Sequence, residues 1–164
     1  MVKRSKRTKS RTVQTPRPKT KRGLINAKKK KVDGIQFRSL LEAVCYQKLK
    51  DAGIKSDYEK HKYVLLEGFH YESSSYEDNG KTGYVDKSSH KVRDITYTPD
   101  FVDPNGRWVI ECKGFANDRF PLKWKMFKKL LMEGDNPPVL FVPRNQKQVL
   151  ETVDLILELM APTK

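Results

Sequence analysis

The sequence predicts an α/β fold, a central mixed β-sheet flanked by helices, with a basic N-terminal arm of the disordered type. Three observations carry this expectation. Apolar residues recur at helical spacing in three separate segments. Short runs rich in β-branched and aromatic residues, divided by turn signals, lie between the first two of them. A further short run lies between the last two, giving the order helix, three strands, helix, strand, helix.

The first helix opens in Phe37-Arg38-Ser39-Leu40-Leu41-Glu42. Ser39 suits the N-cap, Leu40, Leu41, Val44, Cys45, Leu49 and Ala52 form one stripe, and Gly53 is placed to end the helix. Residues 60–69, KHKYVLLEGF, read as a strand. Residues 70–90 are polar, carry Asn79-Gly80 and have no periodic core face, so a mobile hairpin or loop insertion is expected there. VRDITYTPDF (92–101) reads as the second strand and RWVIECKGF as the third. The short turn Asp103-Pro104-Asn105-Gly106 between them predicts antiparallel pairing. Residues 121–133 follow as a helix with Pro121 in its first turn and Leu122, Met126, Phe127, Leu130 and Leu131 on one side. Residues 138–142 read as a fourth strand and 145–160 as an amphipathic closing helix.

Charge divides the chain at about residue 33. Of 34 Lys and Arg residues, 14 fall between Met1 and Lys31, where there is no Asp or Glu; the other 20 are matched by all 20 acidic residues. The whole net charge of +14 therefore belongs to residues 1–31, within the arm (1–33), and residues 32–164, which include the body (34–164), are neutral by count. An arm so short of large apolar residues cannot bury a core, whereas about 130 residues can. Nucleic acid is the expected partner, through Lys3, Arg4, Lys6, Arg7, Lys28, Lys29, Lys30 and Lys31; the alternatives are a solubilising or targeting tail and an acidic protein surface. No apolar run approaches the length of a membrane span, so no membrane partner is expected. Cys45 and Cys112 read as small buried hydrophobes of a reducing compartment, and His61, His70 and His90 show no metal-ligand spacing.

The third strand carries the chemistry. Alternation puts Trp108, Ile110 and Cys112 on one face and Val109, Glu111 and Lys113 on the other. Antiparallel pairing across the turn brings the Asp100 carboxylate beside that of Glu111. Two carboxylates converging on one point repel unless a cation joins them, and oxygen ligands favour Mg²⁺ or Mn²⁺. Such a cation polarises a phosphoryl oxygen, and Lys113 on the same face is suited to the charge that develops. The bland alternative is a Glu111–Lys113 pair on a wet sheet face, with Asp100 merely beginning a turn.

Pro99-Asp100…Glu111-Cys112-Lys113 resembles the signature of the PD-(D/E)xK nuclease superfamily. FRSLLEAVCYQKLKDAGIKSDYE followed by YTPDFVDPNG is similar to phage-encoded Holliday-junction resolvases of the endonuclease I type. KVRDITYTPDF…WVIECKGF…FPLKWKMF is similar to small phage proteins of the same superfamily. The resemblance covers roughly residues 34–131 and implies a restriction-endonuclease-like core. It implies Asp100, Glu111 and the backbone carbonyl of Cys112 as metal ligands, Lys113 as the catalytic lysine, and Glu42 as a further catalytic and metal-binding residue. Glu42 has a second reading, because Ser39-Leu40-Leu41-Glu42 is also a capping box in which Glu42 folds back on the Ser39 amide. Arg38, Lys123 and Lys125, with Lys128 and Lys129, are candidates for the DNA backbone or for an ordinary solvated helix face.

The function this implies is a phage-type, metal-dependent DNA endonuclease for junction resolution, genome processing or packaging. It would act as a homo-oligomer in the host cytoplasm. The alternative is a virion protein of the head–tail neck or head-completion type, with a nuclease-like fold and an arm that grips DNA or other virion proteins.

Overall fold

The computed structural model describes residues 29–81, 83–114 and 119–162. Within them the chain is a mixed α/β fold built on a four-stranded mixed sheet with helices on both faces.

The described chain opens with a hairpin that composition hides. β1 (Lys30–Val32) and β2 (Ile35–Phe37) pair antiparallel, with Val32 opposite Ile35. The intervening Asp33 and Gly34 both have positive φ, 49° and 81°, the turn geometry that matches the twist of a two-residue hairpin. Among the described residues, regular structure therefore begins at Lys30. Lys30 and Lys31, which composition assigns to the arm (1–33), are exposed strand residues. Asp33 ties the turn to the first helix through Lys50 Nζ (2.6 Å) and the Tyr46 hydroxyl (3.2 Å).

Helix α1 (Leu40–Asp51) begins at the expected cap, where the Ser39 hydroxyl accepts the Glu42 N–H at 3.2 Å. It ends at Gly53, whose φ of 70° lets Ile54 N–H reach the Leu49 carbonyl. Its most buried line is Glu42, Cys45 and Leu49, while Leu40 is half exposed. The stripe is thus rotated from the expected one, and it draws a carboxylate into the protein.

β3 (Asp57–Tyr58), which the sequence does not announce, follows α1. β4 (Tyr63–Leu66) is the core of the predicted 60–69 strand. The 70–90 insertion forms its own hairpin from β5 (Tyr76–Asp78) and β6 (Tyr84–Asp86). The predicted strand 92–101 is broken in two. β7 (Ile95–Tyr97) pairs with β4, whereas β8 (Phe101–Val102) pairs with β3 and with β9 (Trp108–Ile110). Pro99, with no N–H to give a ladder, marks the change of partner. Helix α2 (Phe120–Leu131) then leads to β10 (Val139–Phe141), parallel to β9, and α3 (Gln146–Met160) closes the fold from its Asn145 cap.

The sheet order is β10-β9-β8-β3. On one face Phe101, Trp108, Ile110 and Cys112 pack against Ala43, Cys45 and Leu49 of α1 and Val149, Val153 and Ile156 of α3. On the other, Val102 and Val109 pack with Tyr97 and with Phe127 of α2. Alternation along β9 therefore sorts its residues as expected, and both faces are covered, so β9 is apolar throughout. Cys45 and Cys112 are buried free thiols. No described helix is long and apolar enough to cross a membrane.

Ile110, fully buried between α1 and α3, should be far more sensitive than Leu150, half exposed on α3. Ile110→Ala is expected to lower unfolding free energy by about 2–5 kcal/mol and Leu150→Ala by no more than about 0.5. Urea titration followed by circular dichroism measures both.

Candidate active site

Register builds the site. Phe101 pairs with Ile110, and Val102 with Val109. One residue further along each chain, Asp100 stands across from Glu111. Both project to the α2 face that Val102 and Val109 share, because alternate residues of paired strands lie on the same side. Beyond β9 the chain stays alongside β10, with Glu111 N–H on the Phe141 carbonyl and Lys113 N–H on that of Pro143. That continuation keeps Lys113 on the side of Glu111, where its Nζ donates to Glu111 Oε1 at 3.0 Å. The ammonium also lies 4.9 Å from the centre of the Phe120 ring.

A cavity of about 460 Å³ opens here, where the N-termini of α1 and α2 meet the strand ends. Glu42, Asp100, Glu111 and Lys113, the four residues expected from the sequence to be catalytic, all line it, and so does Cys112. Arg38, Arg119 and Lys123 contribute further cations to its lining.

The carboxylates are deeply placed, with Asp100 8% and Glu111 4% exposed. Asp100 Oδ2 accepts the Cys112 N–H at 2.6 Å. Burial, and then the neighbouring Glu111 and Glu42 carboxylates, push the Asp100 carboxyl well above its usual range, against the opposing effects of the Cys112 N–H and Lys113. Glu111 Oε2 is buried without a hydrogen-bond partner, and so is the Tyr97 hydroxyl. Burial, with Glu111 next in effect, drives the Tyr97 phenol upward, so it remains protonated and able to donate. An unpartnered carboxylate oxygen and an ionisation disfavoured by crowding are the features of this pocket that a cation would answer. A divalent ion between Asp100 and Glu111 would satisfy the orphaned oxygen and relieve the repulsion. The two carboxylates fit such an ion, and Cys112 lines the same cavity.

Glu42 is different. Ser39 Oγ donates to its Oε1 at 2.7 Å, and Arg38 N–H (3.0 Å) and the Tyr58 hydroxyl (2.7 Å) donate to Oε2. The capping reading holds with one change of partner, since the carboxylate returns to the amide of Arg38 and not to that of Ser39. Both oxygens already have partners, and among the described residues no three His, Cys, Asp or Glu side chains form a ready metal cage. What the fold presents is a two-carboxylate site with Glu42 held at its edge.

The candidate DNA contacts separate by place. Lys3, Arg4, Lys6, Arg7 and Lys28 lie outside the described residues; Lys29, Lys30 and Lys31 are exposed. Arg38 and Lys123 line the cavity, Lys123 with its Nζ on the Thr96 carbonyl at 2.9 Å. Lys125 instead lines a groove with Leu65 and Glu133. Sequence reasoning did not single out Tyr97 and Arg119. Tyr97 stands three residues before Asp100 on the far side of Pro99, and Arg119 is one residue ahead of α2, so proximity to the motif and to a helix start was the available signal.

Fold and site together define an α/β protein with a pocket of paired carboxylates and a lysine. Residues 22–136 match the family model described as Protein of unknown function (DUF1064), and the chain belongs to that family. No curated protein and no solved structure matches it.

The raised Asp100 carboxyl has a definite sign. Between the ordinary aspartate value and its own, the folded state holds a proton that the unfolded chain has released, so stability falls as pH rises through that window. Asp100→Asn keeps an oxygen for the Cys112 N–H and removes the charge. In EDTA near pH 8 it is expected to raise Tm, by about 2–4 °C per kcal/mol regained, and to flatten the decline with pH. Thermal melts of both proteins from pH 4 to pH 8 measure this.

Proposed function

We propose that this protein is a metal-dependent DNA endonuclease of the PD-(D/E)xK type. One observation carries the reading: Asp100 and Glu111 lie side by side in a buried pair, with the Lys113 ammonium 3.0 Å from Glu111 and a cavity in front of all three. A structural ion pair would need Glu111 and Lys113 alone, and would gain nothing from a second buried carboxylate beside them.

Asp100, Glu111 and the Cys112 carbonyl would hold Mg²⁺ or Mn²⁺. When bound, the ion supplies Lewis acidity toward a phosphoryl oxygen and lowers the pKa of a coordinated water. Lys113, held by Glu111 and backed by the Phe120 ring, presents its ammonium where negative charge grows as a water oxygen bonds to phosphorus. The Tyr97 phenol, kept protonated by burial and by Glu111, stands beside that carboxylate. The water gives a proton to solvent as its oxygen bonds to phosphorus, the P–O bond on the opposite side breaks, and the leaving oxygen takes a proton from solvent. Glu42 holds the start of α1, and so the side of the cavity, in place.

Substrate class follows from the lining. Arg38, Arg119 and Lys123 add three cations around the carboxylates, more than one phosphate needs, which suits a polynucleotide backbone. The basic arm adds sequence-independent affinity for the same polyanion. This reading places the work of the protein on DNA in the cytoplasm of a phage-infected host.

Supercoiled plasmid incubated with Mg²⁺ or Mn²⁺ is expected to be nicked, and EDTA to stop the reaction. Glu111→Ala and Lys113→Ala should each lower the rate by about 10²-fold or more while their circular dichroism stays that of the parent. Cleavage at the parental rate by both variants would contradict the assignment.

A further inference from the structure

Glu59 occupies a place that its local structure does not favour. It follows β3 with a φ of 49°, in the left-handed region where Gly or Asn is comfortable and a glutamate is strained. Its N–H is tied to the Asp100 carbonyl at 3.0 Å, so this strained residue is fixed to the backbone of the site itself. Its side chain is only 20% exposed, and Arg38 Nε lies 2.9 Å from Oε1. Burial pushes the Glu59 carboxyl up; Arg38 opposes this, and the Glu42 and Glu111 carboxylates reinforce it, which sets Glu59 among the charges of the cavity.

We propose that Glu59 is a positioning residue that holds the Arg38 guanidinium at the cavity rim as a receptor for a phosphodiester group next to the one being cleaved. The assignment rests on the nuclease reading above. Adjacent residues of the chain serve the start of α1: Tyr58 donates to Glu42 in its first turn, and Glu59 holds Arg38 just ahead of its cap. Arg38 is anchored at both ends, its N–H on Glu42 and its Nε on Glu59, while its side chain remains 73% exposed. With Nε the nearest atom to Glu59 in this ion pair, the exposed terminal amino groups can face a second acceptor, and a phosphate takes such a fork in bidentate fashion. An ion pair with one member this exposed contributes little to stability and does not repay a strained backbone. Its gain is preorganisation: an exposed arginine otherwise samples many rotamers, and ordering it on binding would weaken the contact. Retaining glutamate where glycine fits better is then explained by what the side chain holds.

The test is binding of a short DNA duplex in EDTA across a salt series, using the full chain so that the contribution of the arm is common to every variant. Arg38→Ala is expected to weaken binding and reduce the slope of log Kd against log salt by about one. Glu59→Asn should lower the slope by about the same amount without tightening binding. The double variant should lose no more than either single one, and the Tm of Glu59→Asn should be no lower than the parent's, since asparagine tolerates this φ. Tighter binding by Glu59→Asn at an unchanged slope would mean that Glu59 merely repels DNA, and would overturn the proposal. Additive losses, a lowered Tm, or no salt-dependent binding by the parent would overturn it as well. A parent that binds as described and yet cleaves nothing with Mg²⁺ or Mn²⁺ would instead remove the nuclease reading.

Discussion

The register between β8 and β9 is the constraint on which the site depends. Once Phe101 pairs with Ile110, the next residues in each direction are fixed, and Asp100 must meet Glu111 on the α2 face. A one-residue slip of β9 would send Glu111 to the α1 face, into the apolar layer that holds Cys45 and Val149, and part it from Asp100. The turn from Asp103 to Arg107 guards against that slip. Asp103 accepts from the Arg107 N–H and from its guanidinium at 2.7 Å, and Gly106 takes the positive φ that the turn requires.

Around that register the layers divide the work. α1 and α3 cover one face with aliphatic side chains and provide the ordinary core. The other face is aromatic, with Tyr97, Trp124 and Phe127 in mutual contact, and it ends in the charged cavity. The N-terminus of α1 links the two, because Glu42 is the residue of that helix that is buried, charged and hydrogen-bonded to Tyr58. Burying two facing carboxylates costs stability in the protein alone, and the apolar layer on the α1 face supplies what offsets it.

Much of this was legible in the residues. The hairpin joining Asp100 to Glu111 is local, set by alternation and by Asp103-Pro104-Asn105-Gly106, and such features survive in sequence. The helix caps at Ser39, Gly53 and Pro121 are local too. The β1–β2 hairpin was hidden because Lys30 and Lys31 resemble the arm in composition, although Asp33-Gly34 between Val32 and Ile35 carried the signal. The break between β7 and β8 was hidden because 92–101 reads as one β-rich run, and only partner choice divides it. Tyr58, Glu59, Tyr97 and Arg119 act through contacts made by folding, among them bonds to Glu42 and Arg38 from 16 and 21 residues away. No spacing rule brings such pairs together.

The account stands on the claim that Asp100 and Glu111 form a cation site. Calorimetric titration of the parent with Mn²⁺ near pH 7, repeated in two buffers of different ionisation enthalpy, tests it most directly because it counts protons as well as ions. Binding should release protons, and more of them as pH is lowered, since burial and Glu111 raise the Asp100 carboxyl and proton and ion compete for the same oxygens. Asp100→Asn should bind more weakly and release fewer. Absence of binding, or binding that neither releases protons nor changes in Asp100→Asn, would contradict it.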